Sequence, residues 1–555
     1  MTYPLPTGYR PMRTIRTADI ILFALALAVA LGFGWYLSAS RVTDPFLYYD
    51  VAFVKHVQMA QSTMDIPTTG PFASLAYVPG REMLMIQLAG MMGVAPETLQ
   101  FLPVGAVLVT IALYVLARRL LGSPYAAFLL TVYLSTNLSH SSALYSVFAY
   151  ALALPIVLTF MLVGMRLFER KDPRDVLLLA LLFVGTHSIH YTMATWLITF
   201  LLGANALIWL QGRLAAKVRF SLPSIHGMPL KAAPYLLVAI VVFFIAFNEA
   251  VYKSFLPLIS GHTLDSAVQR FLSYLSFGGV EQSPYRYTRA GVPTLASTLA
   301  LGIILIPVII GLAYDARRLF KRAVSHLTDK ALAPLWGIAV LGIIDAASYA
   351  VRGSVSTKSF SLLFPLLALA YAKRTGRPAV LHALAFLLAV SSLVKVGLFY
   401  ANSYVISPDP VASSYSATQA SSEWMQKHLA APDRQSFTML ADLNLYGKYL
   451  VDAVGRPLLP VEQGFTEDRY EQVIGRAGDL PWAEPPDIVA VDRASTEPVV
   501  SFIFLIFKPL QEYSHLIEAN PRMNLIYDDG SILLGKPNVY DAPRGSKGER
   551  TDAHR

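Results

Sequence analysis

Repeated apolar runs constrain the fold of this chain more than any other feature. Stretches of about 17–25 mostly apolar residues have the length of a helix that crosses a bilayer. Because 55% of the 555 residues are hydrophobic and only 15% are charged, the sequence predicts an α-helical polytopic membrane protein with about 11 transmembrane helices. The runs start near Ala18, Gln100, Pro124, Leu144, Val176, Thr192, Pro234, Pro293, Pro334, Phe360 and Val380.

Basic residues are concentrated in the short loops between these runs. Residues 1–400 carry 31 Lys and Arg against 15 Asp and Glu, whereas residues 401–555 carry 14 against 21. If eleven helices alternate, one side of the membrane takes 21 of those 31 basic residues, and the positive-inside rule makes that side cytoplasmic. The pattern argues against nucleic acid as a partner. It predicts a multi-pass cell (plasma) membrane protein with an extracytoplasmic C-terminal part.

The loops and the C-terminal part suggest two domains. A transmembrane domain covers residues 1–400, with a first outer loop at 40–99 and a second large outer loop at 251–290. Residues 401–555 indicate an extracytoplasmic α/β domain with a polar tail from about residue 543. Its expected elements include a hairpin around the Asp-Gly turn. These elements are a helix at Ala417–Leu429, strands at Ser436–Ala441 and Asp487–Val491, and the hairpin over 524–535.

Two helices are expected in the first outer loop. Tyr48 to Met59 has helical character, and Glu82 to Val94 is apolar but only about thirteen residues long. The second stretch is too short to span a bilayer and suits an interfacial helix. The chain has no cysteine, so neither a disulfide nor a thiolate metal site is available.

Carboxylates in an aromatic setting make the start of this loop the main candidate for chemistry. Asp44 and Asp50 flank Phe46, Tyr48 and Tyr49, just past the first apolar run. A carboxylate at a membrane surface can act as a general base or hold a divalent cation against a phosphate. The structural alternative for Asp44 is an N-cap on a helix that starts at Pro45.

Other polar residues are expected at the same outer level of the membrane. His187 and His190 have the i, i+3 spacing of one helix face, and His140 lies at a similar depth. They suit metal or phosphate binding as well as plain interfacial anchoring. Arg352 and Lys358 suit a lipid phosphate or an ordinary head-group contact.

Ionisable residues inside apolar runs support a different class of function. Glu249, Asp345 and Lys395 lie within predicted helices, where charges are costly and usually functional. A transporter or flippase of a lipid-linked solute would use such residues, although the chain has no internal repeat.

One motif pair resembles a known family. The residues Asp44-Pro45-Phe46 with Tyr49, followed by Tyr77-Val78-Pro79-Gly80-Arg81, resemble the catalytic subunit of oligosaccharyltransferases and, more broadly, the integral-membrane C-type (GT-C) glycosyltransferases. The resemblance implies a polyprenyl-phosphate-linked sugar donor, with Asp44 as catalytic base or metal ligand. It also implies that Arg352 or Lys358, ahead of Pro365, contacts the donor phosphate.

Two departures from the oligosaccharyltransferase pattern argue against peptide asparagine as the acceptor. The Trp-Trp-Asp signature is absent, since Trp424 and Trp482 each stand alone, and Asn137 and His140 occupy the place of a second acidic pair. Sugar transfer to a lipid, glycan or protein hydroxyl therefore fits better than transfer to peptide asparagine. Glycan transfer to protein remains an alternative, as does the transporter.

The sequence thus predicts a GT-C-like glycosyltransferase that acts on the outer face of the membrane. The sequence leaves open whether the reaction needs a divalent cation (Mg²⁺ or Mn²⁺), which Asp44 and His140 would hold. The assigned residues are Asp44, Asp50 and Glu281 for catalysis; Arg81, Arg352, Lys358, His187 and His190 for the donor phosphate; and Tyr48, Tyr49 and Tyr77 for the aromatic lining of the acceptor site.

Overall fold

The computed structural model describes helices and strands in two compact units of the chain. One unit comprises Met1–Ala39, Thr98–Gln282 and Arg289–Ser403, and the other comprises Ser40–Glu97, Ser283–Thr288 and Tyr404–Arg555. We call them the helical unit and the α/β unit. The described residues are 17–39, 47–60, 79–95, 99, 102–136, 149–170, 172–190, 193–194, 196–198, 200–201, 302–311, 313, 337–340, 357–401, 415–429, 436–441, 443–454, 456, 459–462, 486–493, 510–520 and 523–537.

The main elements of these residues are as follows. The helices are α1 (Thr17–Ala39), α2 (Leu47–Met59), α3 (Gly80–Met92), α4 (Val104–Leu121), α5 (Pro124–Thr136), α6 (Ala149–Arg170), α7 (Pro173–Ile189), α8 (Thr357–Arg374), α9 (Pro378–Ala401), α10 (Tyr415–His428), α11 (Leu443–Ala453) and α12 (Leu510–Ala519). The strands are β1 (Ser436–Leu440), β2 (Leu459–Glu462), β3 (Ile488–Asp492), β4 (Met523–Asp528) and β5 (Ile532–Pro537).

The helical unit contains α1 and α4–α9. These seven helices lie over the predicted runs that start near Ala18, Gln100, Pro124, Leu144, Val176, Phe360 and Val380. Described pieces of the runs from Thr192, Pro293 and Pro334 are also helical, and the run from Pro234 lies outside the described residues. Among the described helices, only Val104–Leu121 is both long and apolar enough to cross a membrane. Shorter apolar helical stretches lie at Thr17–Phe33, Pro124–Thr136, Ala151–Leu167, Gly302–Gly311 and Pro378–Val394.

Small residues and buried hydroxyls bring the helices of this unit close together. A Cβ atom on Gly311 would lie 2.4 Å from the ring of Tyr371, so the close approach there requires glycine. The hydroxyls of Thr136 on α5 and Ser392 on α9 are 2.9 Å apart, and Ser392 also donates to the Tyr133 carbonyl at 3.1 Å. Hydrogen bonds between helices of this kind are common where side chains cannot reach water.

The α/β unit is built on a five-stranded sheet with the order β2-β1-β3-β5-β4. β1 runs parallel to both β2 and β3. α11 lies between β1 and β2 in the chain and forms the crossover that a parallel pair requires. β3 pairs with β5, and β5 pairs with β4, in antiparallel fashion. β3 is buried along its whole length, as expected for a strand in the centre of a covered sheet.

The described elements of this unit include those expected from the sequence. A helix lies at Tyr415–His428, and strands lie at Ser436–Leu440 and Ile488–Asp492. β4 and β5 form the hairpin, with Gly530 at φ 83° in its turn, a backbone conformation that glycine adopts without strain. α11, β2 and α12 were not expected from the sequence.

The first outer loop groups with the C-terminal residues rather than with the helical unit. Val51, Ala52 and Phe53 of α2 are buried in one apolar core with residues of β1, α11, β3 and β5. This division differs from the boundary that we expect at residue 400. Sequence distance hid the connection, since almost 400 residues separate α2 from α11. The second outer loop at 251–290 and the tail from residue 543 lie outside the described residues.

Candidate functional site

The first-loop motif lies directly before a helix of the α/β unit. α2 begins at Leu47, three residues after Asp44, and residues 44–46 are outside the described part of the chain. Tyr48, Tyr49 and Asp50 form the first turn of α2, where the backbone is described. Whatever the role of Asp44, the position of α2 therefore fixes one end of the segment that carries it.

α2 is enclosed on most of its sides. Val51, Ala52, Phe53 and Val54 are consecutive and are 4%, 0%, 7% and 0% exposed. Four consecutive helical positions, at about 100° each, cover most of a helix's circumference. α2 packs along α11 and also against α3, which explains this burial. The helix behind the motif is thus an internal element of the α/β unit and not a loose part of a loop.

Polar side chains accompany this packing. Lys448 and Asp452 of α11 are 2% and 8% exposed, and their i, i+4 spacing places them on one face of the helix. His56 of α2 is half-buried, and burial lowers its pKa from the usual value of 6.5. Burial disfavours the imidazolium and so favours the neutral ring.

Arg81 closes the second part of the motif, Tyr77 to Arg81, in the first turn of α3. It is 9% exposed and its Nε donates to Oε1 of Glu82 at 2.6 Å, with a second contact from the guanidinium to the same oxygen. Glu82 is itself 3% exposed. A buried carboxylate therefore already engages this cation, which the sequence assigns to the donor phosphate.

The two histidines that the sequence assigns to the donor phosphate differ in setting. His187, on α7, is 4% exposed and stacks on Phe183, one turn earlier, with ring centroids 6.3 Å apart. α7 ends at Ile189, and His190 is the C-cap with an extended backbone (φ −153°). Its N–H donates to the Thr186 carbonyl at 2.8 Å. The helical face that the i, i+3 spacing predicts is thus interrupted between the two residues.

The other assigned residues are described only in part or not at all. Lys358 lies in the first turn of α8 and Lys395 lies on α9, each with a described backbone only. Within the described ranges, no three His, Asp or Glu side chains come close enough to hold a metal ion. The residues outside the described part are Asp44, Tyr77, His140, Glu249, Glu281, Asp345 and Arg352.

The α/β unit brings two parts of the motif onto neighbouring helices. Tyr48, Tyr49 and Asp50 belong to α2, Arg81 belongs to α3, and the two helices pack together. His187, His190 and Lys358 belong to the helical unit. α2 and α3 thus bring the two parts of the motif onto neighbouring helices of one unit.

Sequence reasoning missed two residues that matter for this arrangement. Glu82 pairs with Arg81, and a charged residue next to a motif arginine was the available signal. His56 was missed because a lone histidine in an amphipathic helix does not indicate burial. The apolar run 51–54 was visible, but its partner helix α11 was not.

Comparison with known proteins gives a distant similarity to a solved structure. No protein-family model matches the chain, and no curated protein matches it. A cryo-EM structure of the arabinofuranosyltransferase AftD from Mycobacteria is similar with a TM-score of 0.46 and 14% sequence identity, over 93% of this chain and 40% of that one. The chain thus spans less than half of the AftD chain's length, and a likeness at this level assigns neither a fold nor an activity to it.

Proposed function

We propose that this chain is a membrane glycosyltransferase that moves a sugar from a polyprenyl-phosphate-linked donor to a lipid, glycan or protein acceptor on the outer face of the membrane. The observation that carries the proposal is that the first-loop motif lies directly before a buried helix. The segment that starts Asp44-Pro45-Phe46 leads into α2, and α2 is buried in the core of the α/β unit. A carboxylate that must meet a substrate in a fixed geometry needs such support.

Asp44 has the role of general base in this proposal. Its carboxylate takes the proton of an acceptor hydroxyl, and the acceptor oxygen attacks the anomeric carbon of the donor sugar. The bond between that carbon and the phosphate oxygen breaks, and polyprenyl phosphate leaves with the electron pair. Attack from the side opposite the leaving group inverts the anomeric configuration. The proton then passes from Asp44 to water.

Cations stabilise the departing phosphate. Arg352, Lys358 and His190 keep the donor-phosphate role that the sequence assigns to them, because charge-assisted hydrogen bonds suit a phosphate dianion. Arg81 instead receives a positioning role, since its guanidinium is buried against Glu82. Such a pair loses much of its value when one partner is removed, so it holds the start of α3 in place. His187 receives a packing role beside Phe183.

The experiment is sugar transfer by the purified full-length protein in nanodiscs. A panel of polyprenyl-phosphate sugars is offered with lipid and glycan acceptors, with and without a chelator, and mass spectrometry follows both product and released polyprenyl phosphate. We expect transfer with one donor class and an inverted anomer by NMR. Loss of transfer in the chelator arm would assign a divalent cation to the reaction. Absence of transfer across the panel, by protein that binds a donor lipid, would contradict the proposal.

Two further arms separate the alternatives. A sequon peptide with a lipid-linked oligosaccharide yields glycopeptide only if the chain acts as an oligosaccharyltransferase. Proteoliposomes report net movement of a lipid-linked solute without chemical change only if the chain is a transporter or flippase. We expect neither result, because the Trp-Trp-Asp signature and an internal repeat are both missing from the sequence.

A further inference from the structure

An aromatic cluster lies at the surface of the α/β unit, outside the motif already described. Trp424 of α10 is partly buried, and its ring centroid lies 5.7 Å from that of Tyr527 on β4, with an interplanar angle of 51°. His428, one turn later on α10, is exposed, and its ring centroid lies 4.6 Å from that of Trp424. Two elements that are far apart in the chain thus bring three rings together. We call Trp424, His428 and Tyr527 the aromatic platform.

A β-bulge in β4 puts Tyr527 on this side of the sheet. Tyr527 is paired with Leu534, and the register shifts between Leu525 and Tyr527, so β4 has an extra residue there. Leu534 lies in the core on the α11 side of the sheet, whereas Leu533 lies in the core on the α12 side. Directly paired residues share a face, and without the shift Tyr527 would oppose Leu533. The bulge therefore moves Tyr527 to the face that α10 covers. Bulges that re-aim a side chain in this way are common next to functional sites.

A fixed carboxylate lies beside the platform. The hydroxyl of Tyr527 donates to Oδ2 of Asp529 at 3.1 Å. Oδ1 of the same carboxylate accepts from the N–H groups of Ser531 and Ile532 at 2.8 and 2.7 Å. Burial, followed by the hydrogen bond to Asp529, raises the pKa of Tyr527 to about 12, so the phenol stays a donor at neutral pH. Asp529 is itself exposed, and it therefore presents an oriented acceptor to a ligand at the surface.

Aromatic rings next to a fixed acceptor suit one ligand chemistry in particular. A sugar ring has an apolar C–H face that packs on an aromatic ring, whose π-face is negative. The hydroxyl groups at the edge of the same sugar ring donate strong hydrogen bonds to a carboxylate. A proline-rich peptide also binds aromatic-lined surfaces, but it presents carbonyl acceptors, to which an ionised aspartate cannot donate. The Asp529 carboxylate therefore favours a saccharide over such a peptide.

We propose that the aromatic platform and Asp529 form a binding site for a neutral oligosaccharide, the glycan of the acceptor. The charge of Asp529 disfavours an anionic glycan or a lipid phosphate, which separates this site from the one for the donor phosphate. Trp424 and Tyr527 pack against the same core that encloses α2, so the site belongs to the unit that carries the first-loop motif. The assignment of this glycan to the acceptor rests on the proposed function, whereas saccharide binding itself rests on the platform.

The test measures saccharide binding without any donor. Short neutral oligosaccharides of glucose, galactose, mannose, xylose and arabinose are titrated onto the full-length protein in nanodiscs, and saturation-transfer NMR gives the Kd of each. Trp424→Ala should weaken binding of the preferred saccharide about tenfold, and Trp424→Phe should recover part of the loss because a stacking ring remains. Asp529→Asn retains an oxygen for the hairpin N–H groups, so it tests the carboxylate without opening the turn. It should weaken binding about fivefold.

Two control variants match these changes. Asp528 is the neighbouring acid, and it pairs with Arg493 on the α12 side of the sheet. Asp528→Asn should therefore leave the Kd unchanged, as should Tyr125→Ala, which removes a 42% exposed ring of the helical unit. Wild-type protein that binds none of these saccharides would overturn the inference. Trp424→Ala and Asp529→Asn proteins that bind like wild type would overturn it as well.

A kinetic arm separates this inference from the proposed function. With a glycan acceptor, the loss in Trp424→Ala should appear as a higher KM for that acceptor, because the platform binds the substrate without touching the reacting atoms. Binding that depends on the platform in a protein without transferase activity would support the saccharide site and count against the proposed function alone. Transfer to a glycan with the same KM in Trp424→Ala and wild type would overturn the inference and leave the proposed function standing.

Discussion

The helical unit and the α/β unit expose apolar side chains in different ways. In the helical unit, large apolar residues are exposed along several described helices, for example Ile20 (59%), Val115 (49%) and Leu181 (61%). In the described part of the α/β unit, Leu525 is the one large apolar residue outside α2 and α3 that is exposed. This difference fits the proposed membrane protein, in which lipid surrounds the helical unit and water surrounds the α/β unit.

Polar contacts follow the same division. In the α/β unit, Arg493 pairs at the surface with Glu518 at 2.5 Å and with Asp528. In the helical unit, polar contacts join helices, as between Arg118 of α4 and Asp19 of α1. Asp19 is 13% exposed, against 35% for Glu518 and 30% for Asp528. Because water competes more for an exposed carboxylate, the same substitution should have unequal effects in the two units. The predictions below use that inequality.

The largest effect is expected where the first-loop segment enters the core of the α/β unit. Phe53→Ala should destabilise that unit by about 3–5 kcal/mol, because it removes a buried aromatic side chain and leaves a cavity. Hydrogen exchange should show faster exchange in 47–60 and in 443–453 together. Met59→Ala, at a 61% exposed position of the same helix, is the control and should change neither. Faster exchange in 47–60 alone would separate α2 from this core.

A matched pair of lysines tests the comparison itself. Val115 and Leu525 are 49% and 50% exposed, one in each unit. Val115→Lys should reduce membrane-inserted protein, at a cost of about 2.5–3.5 kcal/mol for a charge at the middle of a span. Leu525→Lys should be neutral within about 0.5 kcal/mol. The measurement is the carbonate-resistant membrane fraction. Equal results for the two variants would remove the distinction between lipid-facing and water-facing units.

An intermediate effect is expected at the contact between α1 and α4. Nε of Arg118 donates to Oδ1 of Asp19 at 2.6 Å, and both side chains are largely sheltered. Asp19→Asn should cost about 1.5–3 kcal/mol, since hydrogen bonds to charged groups have that worth. Thermal unfolding in detergent is the measurement. The charge swap Asp19→Arg with Arg118→Asp should recover part of the loss, and failure to recover any would mean that the pairing itself contributes little.

Some elements of the α/β unit were predictable because short stretches of sequence determine them. The Asp-Gly turn predicts the β4–β5 hairpin, and the helix at Tyr415–His428 lies over the stretch Ala417–Leu429, which was expected to be helical. β2 was missed because it has four residues and contains Pro460. The burial of α2 was missed for a different reason. Its apolar run is plain in the sequence, but the partner α11 lies far along the chain, and only tertiary packing joins them.

The site divides in the same way. Motif residues and their spacing indicated Asp44 and Arg81 as candidates, because residue type and order are visible in a sequence. The acid next to Arg81 was visible, but its pairing with Arg81 was not, because adjacent residues of a helix do not normally face each other. The i, i+3 spacing of His187 and His190 also could not show that the helix ends before His190, where the backbone becomes extended.

The smallest effect is expected at the surface of the α/β unit. Burial alone would raise the pKa of Asp528, but the hydrogen bond from the Gly530 N–H and the Arg493 guanidinium outweigh it and lower that pKa below 3.8. A lowered pKa adds stability that is present above the unfolded value and is lost as pH falls through the folded value. Asp528→Asn should therefore cost under about 1 kcal/mol at pH 7, and thermal melts should show the difference shrinking as the pH falls below 3.8 and the Asp528 carboxylate takes up a proton. A difference that persists there would assign the effect to shape instead of charge.

The most direct test of the account is the transfer rate of Asp44→Asn beside wild type, with the best donor and acceptor of the panel. Glu423→Gln, an exposed acid on α10, is the matched control for loss of a carboxylate. We predict a fall of about 10²–10⁴-fold in kcat for Asp44→Asn, the usual loss when a general base is removed, with donor binding retained and the control unchanged. Equal rates for Asp44→Asn and wild type would contradict the account and would move the base elsewhere, with Asp50 and Glu281 next to be tested.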